Sequence, residues 1–406
     1  MDLDYRLIDI DNHYYEPYDA FTRHMEPEFR DHAVHIRPGK NGLGQIWIGD
    51  RRLASASVTQ TDWIGAPGSL RAYFAGMEEK HAVDDDEGGA RIGGLQDVTV
   101  DPKVIPEFMN RDARLAKMDE QNLEAVLMLP TLGCTVEYEL GDDAKVAAAN
   151  MRAFNRWLEE DWGYGADGKI YGVPILTLID LDWACAELER VADLGAKMFW
   201  ISHHPVNGRS FADPYFDPFW ARVQERGLKL AFHTGFEGFT YHYGAMWGED
   251  PKRALPQWSA FQHYIGTGTR PITDAFASLI LHNLFGRFPG IEAVSIECGS
   301  RWVPRLLEEL DKAAMIGAMG IQLGGAITEK PSEIFRRHVY INPFWEEPID
   351  ELIDAIGADR ILFGSDFPHP EGLSTPLDKA EELAKKVSAE DFQKIMRGNA
   401  LALLNG

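Results

Sequence analysis

Short apolar runs rich in β-branched and aromatic residues recur along the chain, bounded by glycine, proline or polar clusters, and alternate with longer stretches of helical period. This pattern predicts strands at residues 6–11 (RLIDID), 124–130 (EAVLMLP), 171–177 (YGVPILT), 197–202 (KMFWIS), 228–233 (LKLAFH), 291–297 (IEAVSIE), 338–343 (HVYINP) and 360–365 (RILFGS). Helical periodicity covers 145–160, 180–194, 214–226, 273–287 and 348–356, each ahead of a strand. Strand alternating with helix is the rhythm of a parallel sheet. Eight such strands favour an α/β fold of the (β/α)8 TIM-barrel type over an open doubly wound sheet.

The chain has 406 residues, well beyond the roughly 250 of a typical barrel, so a single barrel domain over 1–406 must carry its surplus in insertions. One is expected at 31–108, after the first strand. It holds a predicted hairpin (QIWIGDRRLAS, turning at Gly49-Asp50) and a Gly- and Asp-rich loop (DDDEGGARIGG). A second is expected at 234–272, after the fifth strand, with Phe236, Phe239, Tyr241, Tyr243, Trp247, Trp258, Phe261 and Tyr264. These rings form either a lid with an aromatic wall or plain packing of the insertion onto the barrel.

Charge narrows the partners. With 40 Lys and Arg against 64 Asp and Glu, the net charge is −24, which repels phosphate backbones and anionic lipid headgroups. The most basic runs, Arg51-Arg52, Arg336-Arg337 and Lys385-Lys386, are only pairs, so neither nucleic acid nor membrane is expected as a partner. Cys134, Cys185 and Cys298 are too few and too far apart for a disulfide framework, and no CxxC spacing is present. The acidic start MDLDYRLIDID lacks the apolar length of a secretory signal, so a cytoplasmic setting is expected. An aromatic content of 11% exceeds what one barrel surface readily hides, which points to a homodimer or higher homo-oligomer. No phosphate-binding glycine loop occurs.

In a parallel barrel the carboxyl ends of the strands converge on one face, so polar residues at those ends share a site. The first strand ends in Asp11 and His13, with Glu16 just beyond; the fifth ends in His233, the sixth in Glu297, and the eighth in Asp366 and His369. Asp11 and His13 are two apart and so face the same side of an extended segment. With His233 and Asp366 they make a two-nitrogen, two-oxygen set suited to one divalent ion, Zn or Mn. The bland readings are a core histidine at 233, a helix cap at Asp366, an Asx turn at Asp11, and a salt bridge from Glu297 to Arg301. Glu16 either caps the first helix or supports the metal from outside its direct ligands. Alternation lets only one of His203 and His204 point inward; His204 is assigned to the substrate, a choice the pattern itself leaves open. Arg209 and His369 are further candidates for substrate contact.

The chain resembles the type 2 amidohydrolase-related metal enzymes, a family that includes aminocarboxymuconate semialdehyde decarboxylase and the resorcylate and vanillate-type decarboxylases. The resemblance spans nearly the whole sequence through DIDNHYYEP, RLAKMDEQNLEAVLMLPT, ADPYFDPFWARVQERGLKLAFHTG, FGRFPGIEAVSIECGSRWVPRLLEELD and RILFGSDFPHPEG. It implies that the HxH pair of the first strand falls on Asp11 and His13, the fifth-strand histidine on His233, and the eighth-strand aspartate on Asp366. Asp11 stands where the pattern has His, and Glu297 lies about where the decarboxylases carry a catalytic His. The fourth strand ends WISHHP, without the bridging carboxylate or lysine that a two-metal centre needs, so one ion is expected. The leading reaction is non-oxidative decarboxylation of a small hydroxylated aromatic or unsaturated carboxylic acid, with Asp366 or Glu297 as proton donor. Metal-dependent hydrolysis of an amide, ester or lactone uses nearly the same residues. A catalytically silent, ligand-binding barrel is the third reading.

Overall fold

Hydrogen bonding between the first and last strands decides whether eight parallel strands form a barrel or an open sheet. In the computed structural model, which describes residues 3–38, 44–53, 64–70, 99–141, 143–235, 238–251, 253, 258–266 and 269–406, they meet. The barrel strands are β1 (Leu7–His13), β2 (Leu123–Leu129), β3 (Ile170–Gly172), β4 (Met198–Trp200), β5 (Lys229–His233), β6 (Ala293–Ile296) and β7 (Val339–Ile341). Parallel ladders join β1 to β2 to β3, and β4 to β5 to β6 to β7.

Two seams close the ring. Leu176 N donates to Trp200 O at 2.9 Å and Trp200 N to Pro174 O at 2.9 Å, joining the third and fourth strands. Pro174 has no N–H to give, which explains why the predicted strand 171–177 breaks there and resumes at Ile175. The eighth segment, 361–367, runs between β7 and β1: Leu362 N donates to Ile341 O at 2.9 Å, Ile10 N to Phe363 O at 3.0 Å, and His13 N to Phe367 O at 2.8 Å. The fold is therefore the expected TIM barrel.

The predicted helices form at Ala144–Asp161, Leu181–Asp193, Asp217–Arg226, Arg270–Leu281 with Leu284–Arg287, and Ile349–Ile356. Asp143 and Asp180 cap the first two by accepting backbone N–H groups, each cap stabilising its helix by about 1 kcal/mol. Gly227 ends the third in the left-handed region that glycine adopts without strain. These helices bury one face against strands whose side chains, such as Leu7, Val126, Phe199 and Leu230, are wholly enclosed. Each such side chain contributes about 2 kcal/mol by leaving water.

Between β1 and β2, Gly44–Ile48 pairs with Arg51–Arg52 through the predicted turn at Gly49-Asp50, and also with Val34–Pro38. Ile64–Gly65 pairs with Thr99–Val100. The DDDEGGARIGG stretch lies outside the described residues, as does Phe236. After β5 come two helices, Gly238–Met246 and Ala260–Gly266, with Tyr241 and Trp258 buried between them and Trp247 and Tyr264 exposed. No helix among the described residues is long and apolar enough to cross a membrane.

Candidate functional site

The β1 ladder slips by one residue between Asp9 and Asn12, a bulge that re-aims the end of the strand. Asp11 and His13 then point into the barrel mouth, with Asp11 Oδ1 3.2 Å from His13 Nε2. Asn12 turns the other way, donating to Asp9 Oδ2 at 2.9 Å and accepting from the buried Arg114. From the far side of the ring β5 delivers His233, whose Nε2 lies 3.2 Å from His13 Nε2 and 3.4 Å from Asp11 Oδ1. His233 Nδ1–H donates to Thr234 O at 2.7 Å, which orients the ring with Nε2 toward the centre.

Glu297 and Asp366 complete the cluster. Glu297 Oε2 is 3.1 Å from His233 Nε2, and Asp366 Oδ1 is 3.4 Å from His13 Nε2. The pairing of Glu297 with His233 replaces the salt bridge to Arg301, which is exposed. Five described non-glycine residues have positive φ; three are asparagines, which tolerate it, and the other two are Glu297 (52°) and Asp366 (54°). Backbone strain of order 1 kcal/mol is thus placed at both carboxylates, where it turns the chain out of the strand and swings the side chain over the mouth. Gly364 is required close by, since a β-carbon there would strike Asp11.

Hydrogen-bond roles fix a proton in this cluster. Thr131 Oγ1–H donates to the carbonyl of Tyr14 at 2.7 Å, so toward His369 Nε2, 3.0 Å away, it can only accept. His369 Nε2 therefore carries a hydrogen, and the 2.6 Å contact between His369 Nδ1 and Asp366 Oδ1 needs one more proton. That proton sits either on Asp366 or on the imidazole, and the pair holds it jointly. Burial, then the charges of Glu297 and Glu371, push the Asp366 carboxyl well above its usual range, while burial pushes His369 well below. Both directions place the shared proton on Asp366 in the metal-free chain.

The other members diverge. Burial acts to raise Asp11, yet hydrogen bonds from His13 and His233 outweigh it and hold the carboxyl below the ordinary range. Burial acts to lower His233, yet Asp11 and Glu297 push it up to about 10. Burial also keeps His13 low. Metal-ligand spacing is met by two overlapping groups that share His13: Asp11, His13 and His233, and His13, Glu297, Asp366 and His369. Within each, the donor atoms lie within 4.8 Å of one another. A buried set of imidazoles and carboxylates at this spacing fits a divalent cation.

A cavity of about 600 Å³ opens above the cluster, walled by Thr131, Cys134, His203, Asn342, Phe344 and Trp345 among others. Six acidic residues line it, Asp11, Glu297, Glu346, Glu347, Asp366 and Glu371, and no lysine or arginine does so among the described residues.

Two residues expected to contact substrate, His204 and Arg209, do not line this cavity. His203, not His204, lines the cavity; it is buried, and burial lowers it to about 3. His204 is partly exposed and bonds Pro205 O through Nδ1 at 2.9 Å. Strand β4 stops at Trp200, so alternation no longer governs residues 203 and 204. Arg209 is exposed on the outer surface, over the Tyr215 ring at 4.9 Å and beside Asp213, and does not reach the cavity. Glu16 makes no contact with the cluster: its buried carboxylate accepts the N–H groups of Thr131, Leu132 and Gly133 at 2.9–3.1 Å. It supports the site indirectly by holding the turn that presents Thr131 to His369.

Sequence reading missed Asp9 and Arg114. Asp9 is fully buried and accepts from Asp11 N, Asn12 Nδ2, Ser365 N and Ser365 Oγ, pinning β1 to the eighth segment directly behind the ligands. The signal was present, as an aspartate inside an apolar strand needs partners.

Comparison with known proteins places these features. Residues 99–406 match the family model described as Amidohydrolase. A solved amidohydrolase from Mycobacterium avium subsp. paratuberculosis K-10 is 40% identical, covers 99% of this chain and 100% of its own, and superposes with a TM-score of 0.83. The gamma-resorcylate decarboxylase of Polaromonas sp. (strain JS666) is 25% identical over 325 residues, 74% of this chain and 90% of that protein. A dihydroxybenzoic acid decarboxylase from Polaromonas sp. JS666, solved with manganese and the inhibitor 2-nitroresorcinol, shares the fold at a TM-score of 0.60 and 18% identity, covering 99% of this chain and 97% of that one.

Proposed function

Since the chain belongs to the amidohydrolase family and is an enzyme of the carboxy-lyase or hydrolase kind, we propose that it decarboxylates a small hydroxylated aromatic carboxylic acid without redox chemistry. The single observation that carries this reading is the 2.6 Å contact between Asp366 Oδ1 and His369 Nδ1, which one proton must bridge, beside a cavity of about 600 Å³ that has room for a substituted aromatic acid. Related decarboxylases act on acids of this class by their names, which supports the same substrate type here.

Asp11, His13, His233 and Asp366 would hold one divalent ion, Zn or Mn. When bound, it supplies the positive charge that draws in the substrate's carboxylate and an adjacent hydroxyl oxygen. Six acidic residues line the described wall and no lysine or arginine does, so neither is there to meet that anion. The chain's own groups handle the proton. A carboxyl facing the cavity, that of Asp366 or Glu297, delivers it to the ring carbon that bears the carboxylate. The carbon–carbon bond then breaks, its electron pair restores the aromatic ring, and CO2 departs. His369 and Thr131 hold Asp366 in place, while Phe344 and Trp345 offer flat apolar surface to a ring. The segment 234–272 contributes Thr234, Gly235, Gly266, Thr269 and Ile272 to the wall, and in this proposal it acts as the lid.

The test pairs two panels: hydroxybenzoates monitored for CO2, and esters and lactones monitored for acid. Decarboxylation is expected, with Glu297→Gln and Asp366→Asn each lowering kcat by about 10²–10⁴-fold. Turnover of an ester with no CO2 from any acid would assign hydrolysis instead. A purified chain that takes up no ion and turns over neither panel would point to the silent barrel.

A further inference from the structure

We propose that Asn342 is a substrate-binding residue, whose side-chain NH2 donates a hydrogen bond to the carboxylate of the bound aromatic acid. The assignment rests on the substrate class proposed above and gives that carboxylate one of its contacts. Asn342 directly follows β7, and its own backbone N–H donates to Ser295 O at 2.9 Å, which extends the ladder to β6 by one rung. Just past that rung the backbone N–H of Glu297, turned out of the strand, donates to Asn342 Oδ1 at 3.3 Å. This bond decides which way the amide faces, because only its oxygen end can accept an N–H. The NH2 end is left over. Nδ2 has no hydrogen-bond partner among the described residues, although Asn342 is only 2% exposed. Gly364 locates it: a β-carbon built there would lie 3.0 Å from Asn342 Nδ2 and 2.3 Å from Asp11 Cβ, so the donor and Asp11 flank the same glycine. Asn342, Asp11 and Gly364 all line the cavity.

A donor held out of water without an acceptor is costly, and native structures keep few of them. Here the acceptor comes from what fills the cavity. A cationic ligand would bring further donors and leave Nδ2 unmet, so the amide selects a ligand that presents oxygen lone pairs. A carboxylate has more of these than one divalent ion would occupy, and no lysine or arginine among the described residues lines the cavity to take the rest. The neutral amide satisfies one of them without burying a further charge. Its tether to Glu297 N also fixes the direction of the donor, which gives the contact orientation as well as affinity.

Calorimetric titration of the metal-loaded full chain with benzoate, an aromatic carboxylate without the hydroxyl the reaction needs, tests the assignment without turnover. Asn342→Leu keeps the size of the side chain and removes the donor. It is expected to bind benzoate about 10- to 100-fold more weakly than the wild type, with metal content and far-UV circular dichroism unchanged. Asn342→Asp keeps an oxygen for the Glu297 N–H but sets an anion where the NH2 stood. At about pH 8, where the introduced carboxylate is ionised, it is expected to bind more weakly still. This order separates a substrate contact from a mere tether of Glu297, for which the aspartate variant would bind like the wild type and only the leucine variant would suffer. That tether result overturns the proposal. So does a folded leucine variant that binds benzoate within about twofold of the wild type, which would leave the NH2 to a buried water. Should the leucine variant fail to fold, the aspartate variant alone decides. A wild type that binds no benzoate overturns the aromatic-acid reading together with this assignment, whereas the other outcomes leave that reading standing.

Discussion

His13 and His233 stand 220 positions apart in the chain and meet Nε2 to Nε2 at 3.2 Å. Two imidazole nitrogens that close cannot both carry protons at ease, and neither can donate to the other once each offers a lone pair. With Asp11 Oδ1 within 3.4 Å of both, the arrangement calls for a single positive charge between them.

That charge is expected to be one metal ion per chain. Elemental analysis of protein purified without chelator should find close to one Zn or Mn, falling below about a tenth of that in His13→Ala and His233→Ala. Stripping the ion should also lower stability, by about 2.7 kcal/mol where free ion stands at 100 times its Kd. Two ions per chain at full occupancy would contradict the single-centre reading.

Ion uptake should depend on pH in a stated direction. In the metal-free chain His233 is raised from its ordinary value to about 10, so at neutral pH a proton occupies the nitrogen that the ion needs. Its pairing with Asp11 and Glu297 contributes stability that is full below the ordinary histidine value and lost as pH rises through about 10. Metal affinity should therefore climb about tenfold per pH unit below that point, with one proton released per ion bound. Calorimetric titration in two buffers of different ionisation enthalpy measures the proton count; a count of zero would remove the argument.

Thr131 has a testable positioning role. Thr131→Val removes the group that accepts from His369 Nε2, so the imidazole is free to flip or change tautomer and the shared proton with Asp366 is no longer fixed. We expect kcat to fall about 10- to 100-fold with a displaced pH profile, metal content unchanged, and recovery in Thr131→Ser. A pH profile that does not move would show that Thr131 only fills space.

Arg209 and His203 separate the surface from the cavity. Arg209→Ala should leave kcat/KM within about twofold, since exposed ion pairs such as its contact with Asp213 contribute little. His203→Ala should raise KM or lower kcat, because this side chain forms part of the cavity wall. The reverse outcome would make Arg209 a substrate contact after all.

The sequence by itself determined the eight strands, their helical partners and the residues at the strand ends. Those signals are local: an apolar run such as LKLAFH declares a buried strand, and its last residue must lie at the carboxyl end. Asp11, His13, His233 and Asp366 were legible for that reason, since parallel closure brings strand ends together whatever the details. Tertiary structure alone decided what happens beyond the ladders. Once β4 stops at Trp200, two-residue alternation no longer dictates direction, and His203 rather than His204 enters the cavity. The Asp9 contacts to Ser365 and the Glu16 grip on residues 131–133 join parts of the chain remote in sequence. Such contacts depend on where the folded barrel places each backbone, and no periodicity along the chain encodes that distance.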